Sequence, residues 1–137
     1  MLDIVNEDGT FKLVWRYAIK NNKARKTRKN GETVEYIYHT TTLPGEIVRY
    51  FHHPKHVYMY TWEGEYIITD TEPLHAEYVK VVLMYKGRQD ARSITLSKKV
   101  FDLHGYTSME VKYTFHADRE DITGKRGIIT IEIVQRE

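Results

Sequence analysis

The chain contains no cysteine and little asparagine or glutamine, and it has no apolar run long enough to span a bilayer. The missing cysteines exclude disulfides, thiolate chemistry and cysteine-based zinc sites. The start, Met1 to Asp8, lacks the apolar core of a signal peptide. With 41% hydrophobic and 29% charged residues over 137 positions, the composition predicts a folded, cytoplasmic protein. Plentiful lysine, arginine and glutamate are typical of proteins from hot environments.

The formal net charge of +2 hides an uneven distribution of charge. Six of the 21 basic residues lie between Lys20 and Lys29, and this segment contains no acidic residue. Without them the chain carries 15 basic and 19 acidic residues, so the remainder is mildly acidic. A local concentration of charge indicates the type of partner and not the fold. The six residues are Lys20, Lys23, Arg25, Lys26, Arg28 and Lys29.

Two stretches of the sequence resemble each other at one constant, ungapped shift. The first runs from Thr42 to Trp62, and the second runs from Thr95 to Phe115. Ungapped agreement across a strand, a short helix and a second strand predicts an internal duplication. The two repeats are predicted at residues 9–71 and 76–135, and they share one barrel. The matched pairs are Thr42 with Thr95, Leu43 with Leu96, Ile47 with Val100, Tyr60 with Tyr113, Thr61 with Thr114 and Trp62 with Phe115.

Each half is predicted as strand, turn, strand, short helix, strand, strand. A first hairpin with a long basic tip joins strands 11–19 and 33–43 through the exposed loop Lys20–Glu32, where Asn30-Gly31 is a turn signal. Pro44 begins a short helix. The remaining predicted elements are strands 57–62, 65–70, 78–85, 93–96, 109–115 and 127–134 and a helix over 98–104.

Comparison of the two copies also predicts which faces are buried. Tyr58, Tyr60 and Trp62 match apolar residues in the second copy, so this alternating set should face the core. Val57 and Met59 match charged residues, so their face is predicted to be covered by the N-terminal segment or by a partner. The eleven tyrosines are expected mostly in the core.

The segment from Thr42 to Phe51 (Thr-Leu-Pro-Gly-Glu-Ile-Val-Arg-Tyr-Phe) and the hairpin from Val57 to Ile68 resemble the AbrB-like swapped-hairpin domains. This family includes prokaryotic transition-state regulators and antitoxins. The second copy is similar over 94–115 and 127–134, with Ser97 where the family has proline. The resemblance implies a mainly β fold with two short helices, in which two copies interlock as a swapped-hairpin β-barrel.

The same resemblance implies a DNA-binding site. In the family, the turn between the first two strands supplies basic residues to DNA, and here that turn is the segment from Lys20 to Lys29. The equivalent turn in the second copy holds Lys86, Arg88 and Arg92. Independently of the family, lysine and arginine neutralise phosphates, and arginine can also fork onto guanine in the major groove.

The predicted function is therefore binding of double-stranded DNA, by a transcriptional regulator or a nucleoid-associated protein. The simplest alternative is a solvated loop whose charge aids solubility. Two further classes stay open. One is a protein-interaction module, such as an antitoxin or a viral or structural component. The other is a binder of RNA or single strands, which an exposed aromatic row would favour. The sequence leaves both a monomer and a homodimer open.

No constellation of residues indicates an enzyme, a metal site or a cofactor. His52, His53 and His56 have no cysteine or carboxylate at a familiar metal-binding spacing. The carboxylates Asp118, Glu120 and Asp121 are predicted in a surface loop without a nucleophile or base beside them.

Overall fold

A computed structural model describes residues 2–7, 10–86, 89–97, 100–101 and 109–135. The described chain is mainly β, as predicted, with one short helix, α1 (Gly45–Tyr50). The strands are β1 (Leu2–Glu7), β2 (Thr10–Ala18), β3 (Lys20–Thr27), β4 (Thr33–Leu43), β5 (His56–Trp62), β6 (Glu65–Thr69), β7 (Tyr78–Val82), β8 (Met84–Tyr85), β9 (Arg92–Leu96), β10 (Met109–Glu120) and β11 (Arg126–Gln135).

These strands form two antiparallel sheets. The seven-stranded sheet has the order β1-β2-β10-β11-β6-β5-β7, and one sheet of the fold curls into a half-barrel. The four-stranded sheet has the order β3-β4-β9-β8. Each sheet contains strands from both halves of the chain. No helix in the described part of the chain has the length and apolar character required to cross a lipid bilayer.

The main core combines both sheets with α1. Trp15, Tyr113 and Ile131 come from the seven-stranded sheet, and Leu43 and Ile94 come from the four-stranded one. As predicted, α1 follows Pro44 and buries Ile47 and Val48, and Phe51 directly after the helix is also buried. A second, smaller cluster consists of Tyr60, Ile67 and Ile128.

The strand order is unchanged when the two halves of the chain are exchanged. If each of the strands β2–β6 is exchanged with its counterpart among β7–β11, both sheets keep the same strand order, read in the opposite direction. Among the described strands, only β1 has no counterpart. The residue pairing follows the same exchange. Thr41 pairs with Ile94, which is its own match in the second copy, and Ile67 pairs with Thr130 where the closing hairpins of the two halves meet. The two halves are therefore equivalent in strand order and in pairing register.

The constant shift between the two copies is wrong beyond the helix. Val57 and Met59 are completely buried in the main core, as are Val111 and Tyr113, each of which lies one position beyond the residue that the shift predicts. The second half therefore has one additional residue before this strand. Because side chains alternate along a strand, the residues of β5 that face the main core are those predicted to face away from it. Tyr60 packs in the small cluster instead, and Trp62 is exposed.

Two predicted strand assignments also need correction. β2 does not pair with β4 but lies between β1 and β10, because its apolar side chains Leu13 and Trp15 lie opposite Phe115 and Tyr113. The predicted strand 78–85 is interrupted at Leu83, where the chain passes from one sheet to the other. Its N–H donates to the carbonyl of Lys55 (2.9 Å) at this crossing.

The closing hairpins were predicted correctly except at one turn. β5 and β6 meet at Glu63-Gly64, both with positive φ (50° and 81°), as two-residue hairpin turns require. Asp118 and Glu120, however, belong to β10 and not to a loop. The predicted helix over 98–104 falls almost entirely outside the described residues.

Candidate nucleic-acid interface

The segment predicted as a basic loop is for the most part a β-strand. β3 pairs with β4 without interruption, from Lys20 opposite Thr40 to Thr27 opposite Thr33. Its own sequence has low strand propensity, but β4 is rich in β-branched and aromatic residues, and pairing with such a strand overrides the local preference. A two-stranded hairpin therefore replaces the expected flexible loop.

The true loop is short and lies at the tip of this hairpin. The N–H of Gly31 donates to the carbonyl of Arg28 (2.9 Å), and the N–H of Arg28 donates to the carbonyl of Glu32 (2.7 Å). Gly31 has a φ of 87°, which is the left-handed geometry expected after a type I turn in a three-residue hairpin loop. The turn signal at Asn30-Gly31 is thus confirmed, and it fixes the register of the hairpin.

The hairpin is much longer than its counterpart in the second half. Met84 pairs with Ser93 as Lys20 pairs with Thr40, and Tyr85 pairs with Arg92 as Asn21 pairs with His39. In the sequence, six residues (86–91) separate Tyr85 from Arg92, whereas seventeen residues (22–38) separate Asn21 from His39. We call residues 22–38 the basic ribbon. It makes this hairpin eleven residues longer than its counterpart in the second half.

The predicted basic residues are distributed over both faces and the tip of the ribbon. Lys23 and Arg25 lie on one face, and Lys26 lies on the other, where Lys20 continues that face at the base. Arg28 and Lys29 form the tip. All six side chains are exposed to solvent.

One of these cations already has a partner. The Nε atom of Arg25 lies 3.2 Å from Oε1 of Glu35 on the facing strand, and both side chains are highly exposed. Such surface pairs contribute little to stability, but the pair reduces the charge on that face. Among the described residues, the other five cations make no ion pair.

The basic residues predicted in the second copy do not join the ribbon. Leu43, at the end of β4 farthest from the tip, pairs with Arg92, so Arg92 lies at the end of the sheet opposite the ribbon. Arg92 donates to the carbonyls of Asp90 and Ala91, each at 3.0 Å, and stacks over Tyr85. Lys86 donates to Oγ1 of Thr42. Arg88 lies outside the described residues.

Two aromatic residues on the ribbon were not anticipated. Tyr36 is 47% exposed, and its ring centroid lies 6.0 Å from that of the partly buried Tyr38. Both lie on the same face as Lys26, because Tyr36 faces Ala24 and Val34 faces Lys26. The alternating pattern Tyr-Ile-Tyr indicates that both tyrosines share one face of a strand, but most tyrosines were predicted to lie in the core. Tyr58, Tyr60 and Tyr113 do occupy the interior.

The other candidate sites resolve into structural contacts. His56 Nε2 lies 3.0 Å from the hydroxyl of Tyr58, and His53 lies 3.8 Å from Asp90. Asp121 accepts hydrogen bonds from the N–H groups of Thr123 (2.9 Å) and Lys125 (3.1 Å) and thereby closes the β10–β11 turn. Within the described ranges, no three histidine or acidic residues are grouped as a metal site would require.

The basic ribbon is therefore the most distinctive charged feature of the described chain. It is exposed on both faces, and it has no counterpart in the other half. No family model matches the chain, and no curated protein or solved structure is significantly similar to it.

Proposed function

We propose that the chain binds double-stranded DNA through the basic ribbon, as a transcriptional regulator or a chromosome-associated protein. The observation that carries this proposal is the length of the β3–β4 hairpin, which is eleven residues longer than its counterpart in the second half. The ribbon contains five basic and two acidic residues, and none of its side chains belongs to either core cluster. An exposed element that does not contribute to the core requires another role, and its charge favours an anionic partner.

The dimensions of the ribbon suit the major groove. Six residue pairs extend from Asn22 and Tyr38 to Thr27 and Thr33, which corresponds to about 20 Å. The major groove is about 12 Å wide and admits a two-stranded ribbon. Lysine and arginine along the ribbon and at its tip would then lie close to phosphates.

We further infer that the chain is a tandem duplication of an AbrB-like swapped-hairpin unit. The exchange-symmetric strand order and pairing register support this origin. So does the position of β2, which pairs with the closing hairpin of the other half, as β7 pairs with β5. In this arrangement the second half has kept the hairpin at its minimal length, and the first half has extended it for binding.

Fluorescence anisotropy with labelled duplex DNA at several salt concentrations tests the function. The ribbon variant is Lys26→Ala/Arg28→Ala/Lys29→Ala. The matched control is Lys55→Ala/Lys80→Ala/Arg126→Ala, which removes three exposed cations from the body of the protein. If the ribbon residues contact three phosphates, the slope of log affinity against log salt falls by about 2.7 in the ribbon variant.

The control variant should bind like the unaltered chain. Equal losses in the two triple variants would indicate diffuse attraction without a defined site. No binding of the unaltered chain to duplex DNA at low salt would exclude the proposed function.

Binding of single strands is the second candidate, and the exposed pair Tyr36 and Tyr38 favours it. Aromatic side chains stack on unpaired bases and can contribute about 1–3 kcal/mol per base. Competition between duplex and single-stranded DNA of the same length separates the two candidates, since a single-strand binder would prefer the latter.

A further inference from the structure

The four-stranded sheet has one face turned to the core and one turned outward. On β4, His39, Thr41 and Leu43 are buried, and Thr40 and Thr42, which alternate with them, are more exposed. On β9, Thr95 is exposed between two buried residues. We call the second side the outer face.

The outer face continues without interruption along the basic ribbon. Tyr36 and Tyr38 precede Thr40 at intervals of two residues, so they lie on the same side. β3 also contributes to this side. Lys20 lies opposite Thr40, and Lys26 lies opposite Val34. The face combines tyrosine and threonine hydroxyls with lysines.

The two sides of the ribbon differ in whether they carry an acidic residue. The only acidic residue in β3, β4, β8 or β9 is Glu35, and it lies on the core-facing side, where it pairs with Arg25. No carboxylate therefore occurs on the outer side of these strands. Along β4 the outer face extends from Val34 to Thr42, about 27 Å, which is most of one turn of duplex DNA.

We propose that duplex DNA lies along the outer face, so that the binding surface includes the body of the sheet as well as the ribbon. This inference rests on the proposed function. The lysines neutralise phosphates, the threonine hydroxyls donate to phosphate oxygens, and the tyrosine rings contact the bases or sugars. The core-facing side of the ribbon, with Arg25 held by Glu35, points away from the duplex.

A matched pair of substitutions in the body of the protein tests this geometry. Thr95→Glu places one negative charge on the outer face, outside the ribbon. Thr61→Glu makes the same change at an exposed threonine of β5, in the other sheet. At about 50 mM salt we expect Thr95→Glu to weaken duplex binding at least about fivefold, because like charges are opposed. Thr61→Glu should leave it within about twofold.

A second matched pair compares the two sides of the ribbon. Tyr36→Ala/Lys26→Ala and Ile37→Ala/Lys23→Ala each remove one lysine and one half-exposed side chain, since Tyr36 and Ile37 are 47% and 48% exposed. We expect the first variant to bind duplex DNA at least about five times more weakly than the second. Thermal unfolding of all four variants verifies that each is folded, and Lys26→Gln alone repeats the test if a double variant is not.

The outcomes separate the inference from the function on which it rests. If the unaltered chain binds duplex DNA and the tip residues matter, but Thr95→Glu binds like Thr61→Glu, the outer face is not the interface. A larger loss of DNA affinity in Ile37→Ala/Lys23→Ala would show that the duplex contacts the core-facing side of the ribbon. If the unaltered chain prefers single strands or binds no DNA, the proposed function itself fails.

Discussion

At the scale of single residues, Gly127 occupies the most restricted position among the described glycines. Its φ is 83°, and a Cβ atom there would lie 2.5 Å from the hydroxyl of Tyr50 and 3.2 Å from the ring of Phe115. The Tyr50 hydroxyl donates to the carbonyl of Gly127 (2.7 Å). Gly127 thus allows α1 to pack closely against the start of β11.

We expect Gly127→Ala to destabilise the protein by about 2–4 kcal/mol, from left-handed strain and overpacking together. Gly124→Ala is the control, because Gly124 has a φ of 80° with no atom within 4 Å of the added Cβ. It should lose only about 1–2 kcal/mol. Urea unfolding of both variants measures the difference, and equal losses would show that the contact with Tyr50 relaxes without cost.

We expect His116 to make the stability of the protein depend on pH. Its side chain is buried, with Nε2 2.9 Å from Oγ1 of Thr130 and with no partner for Nδ1 among the described residues. Burial, and then the charges of Arg119 and Lys12, hold its pKa below the ordinary value. The unfolded chain therefore binds this proton more readily, and stability falls as the pH drops through about 6.5 towards the folded pKa.

We expect His116→Gln to remove part of this dependence, because glutamine can keep a hydrogen bond to Thr130 and does not titrate. The free energy of unfolding measured at pH 7.5 and at pH 5.5, about one unit on either side of the ordinary histidine pKa, should differ less in the variant than in the unaltered chain. The same difference in both proteins would assign the dependence to other groups.

At the scale of elements, the sequence predicted those features that depend on local signals. The Asn30-Gly31 turn, the helix after Pro44 and the β5–β6 hairpin follow from residue types with strong geometric preferences. β3 was missed because its strand state depends on pairing with β4 and not on its own polar residues. The two faces of β5 were predicted the wrong way round because the second half has one additional residue, and a shift of one position along a strand moves every side chain to the other face.

The basic ribbon should be dispensable for folding. None of its residues belongs to a core cluster, so its removal takes little buried apolar area from the protein. We expect a variant in which residues 86–91 replace residues 22–38 to shift the melting temperature by less than about 8 °C and to lose DNA binding. A variant that unfolds would show that the ribbon stabilises the rest of the protein. Retained DNA binding would show that the binding site lies outside the ribbon.

At the scale of the whole molecule, neither half of the chain can complete a sheet alone. In the seven-stranded sheet β10 lies between β2 and β11, and in the four-stranded sheet β4 pairs with β9, so each sheet combines strands of the two halves. This arrangement could not be predicted from elements alone, since it depends on which strands exchange partners. It was implied only by the resemblance to swapped-hairpin domains, and it explains why the main core contains residues from both halves of the chain.

The exposed turn at Leu74 and His75 is where the two halves can be separated with least disturbance. We expect fragments 1–73 and 74–137 to be largely unfolded when purified singly and to form a folded one-to-one complex when co-expressed, because each supplies the strands that the other lacks. Because association is now bimolecular, the stability of the complex should rise with protein concentration. Co-purification through a tag on one fragment, followed by circular dichroism and light scattering, measures this. A fragment 1–73 that folds as a stable monomer would contradict the shared core, whereas its homodimer would mean that the first half can replace the second.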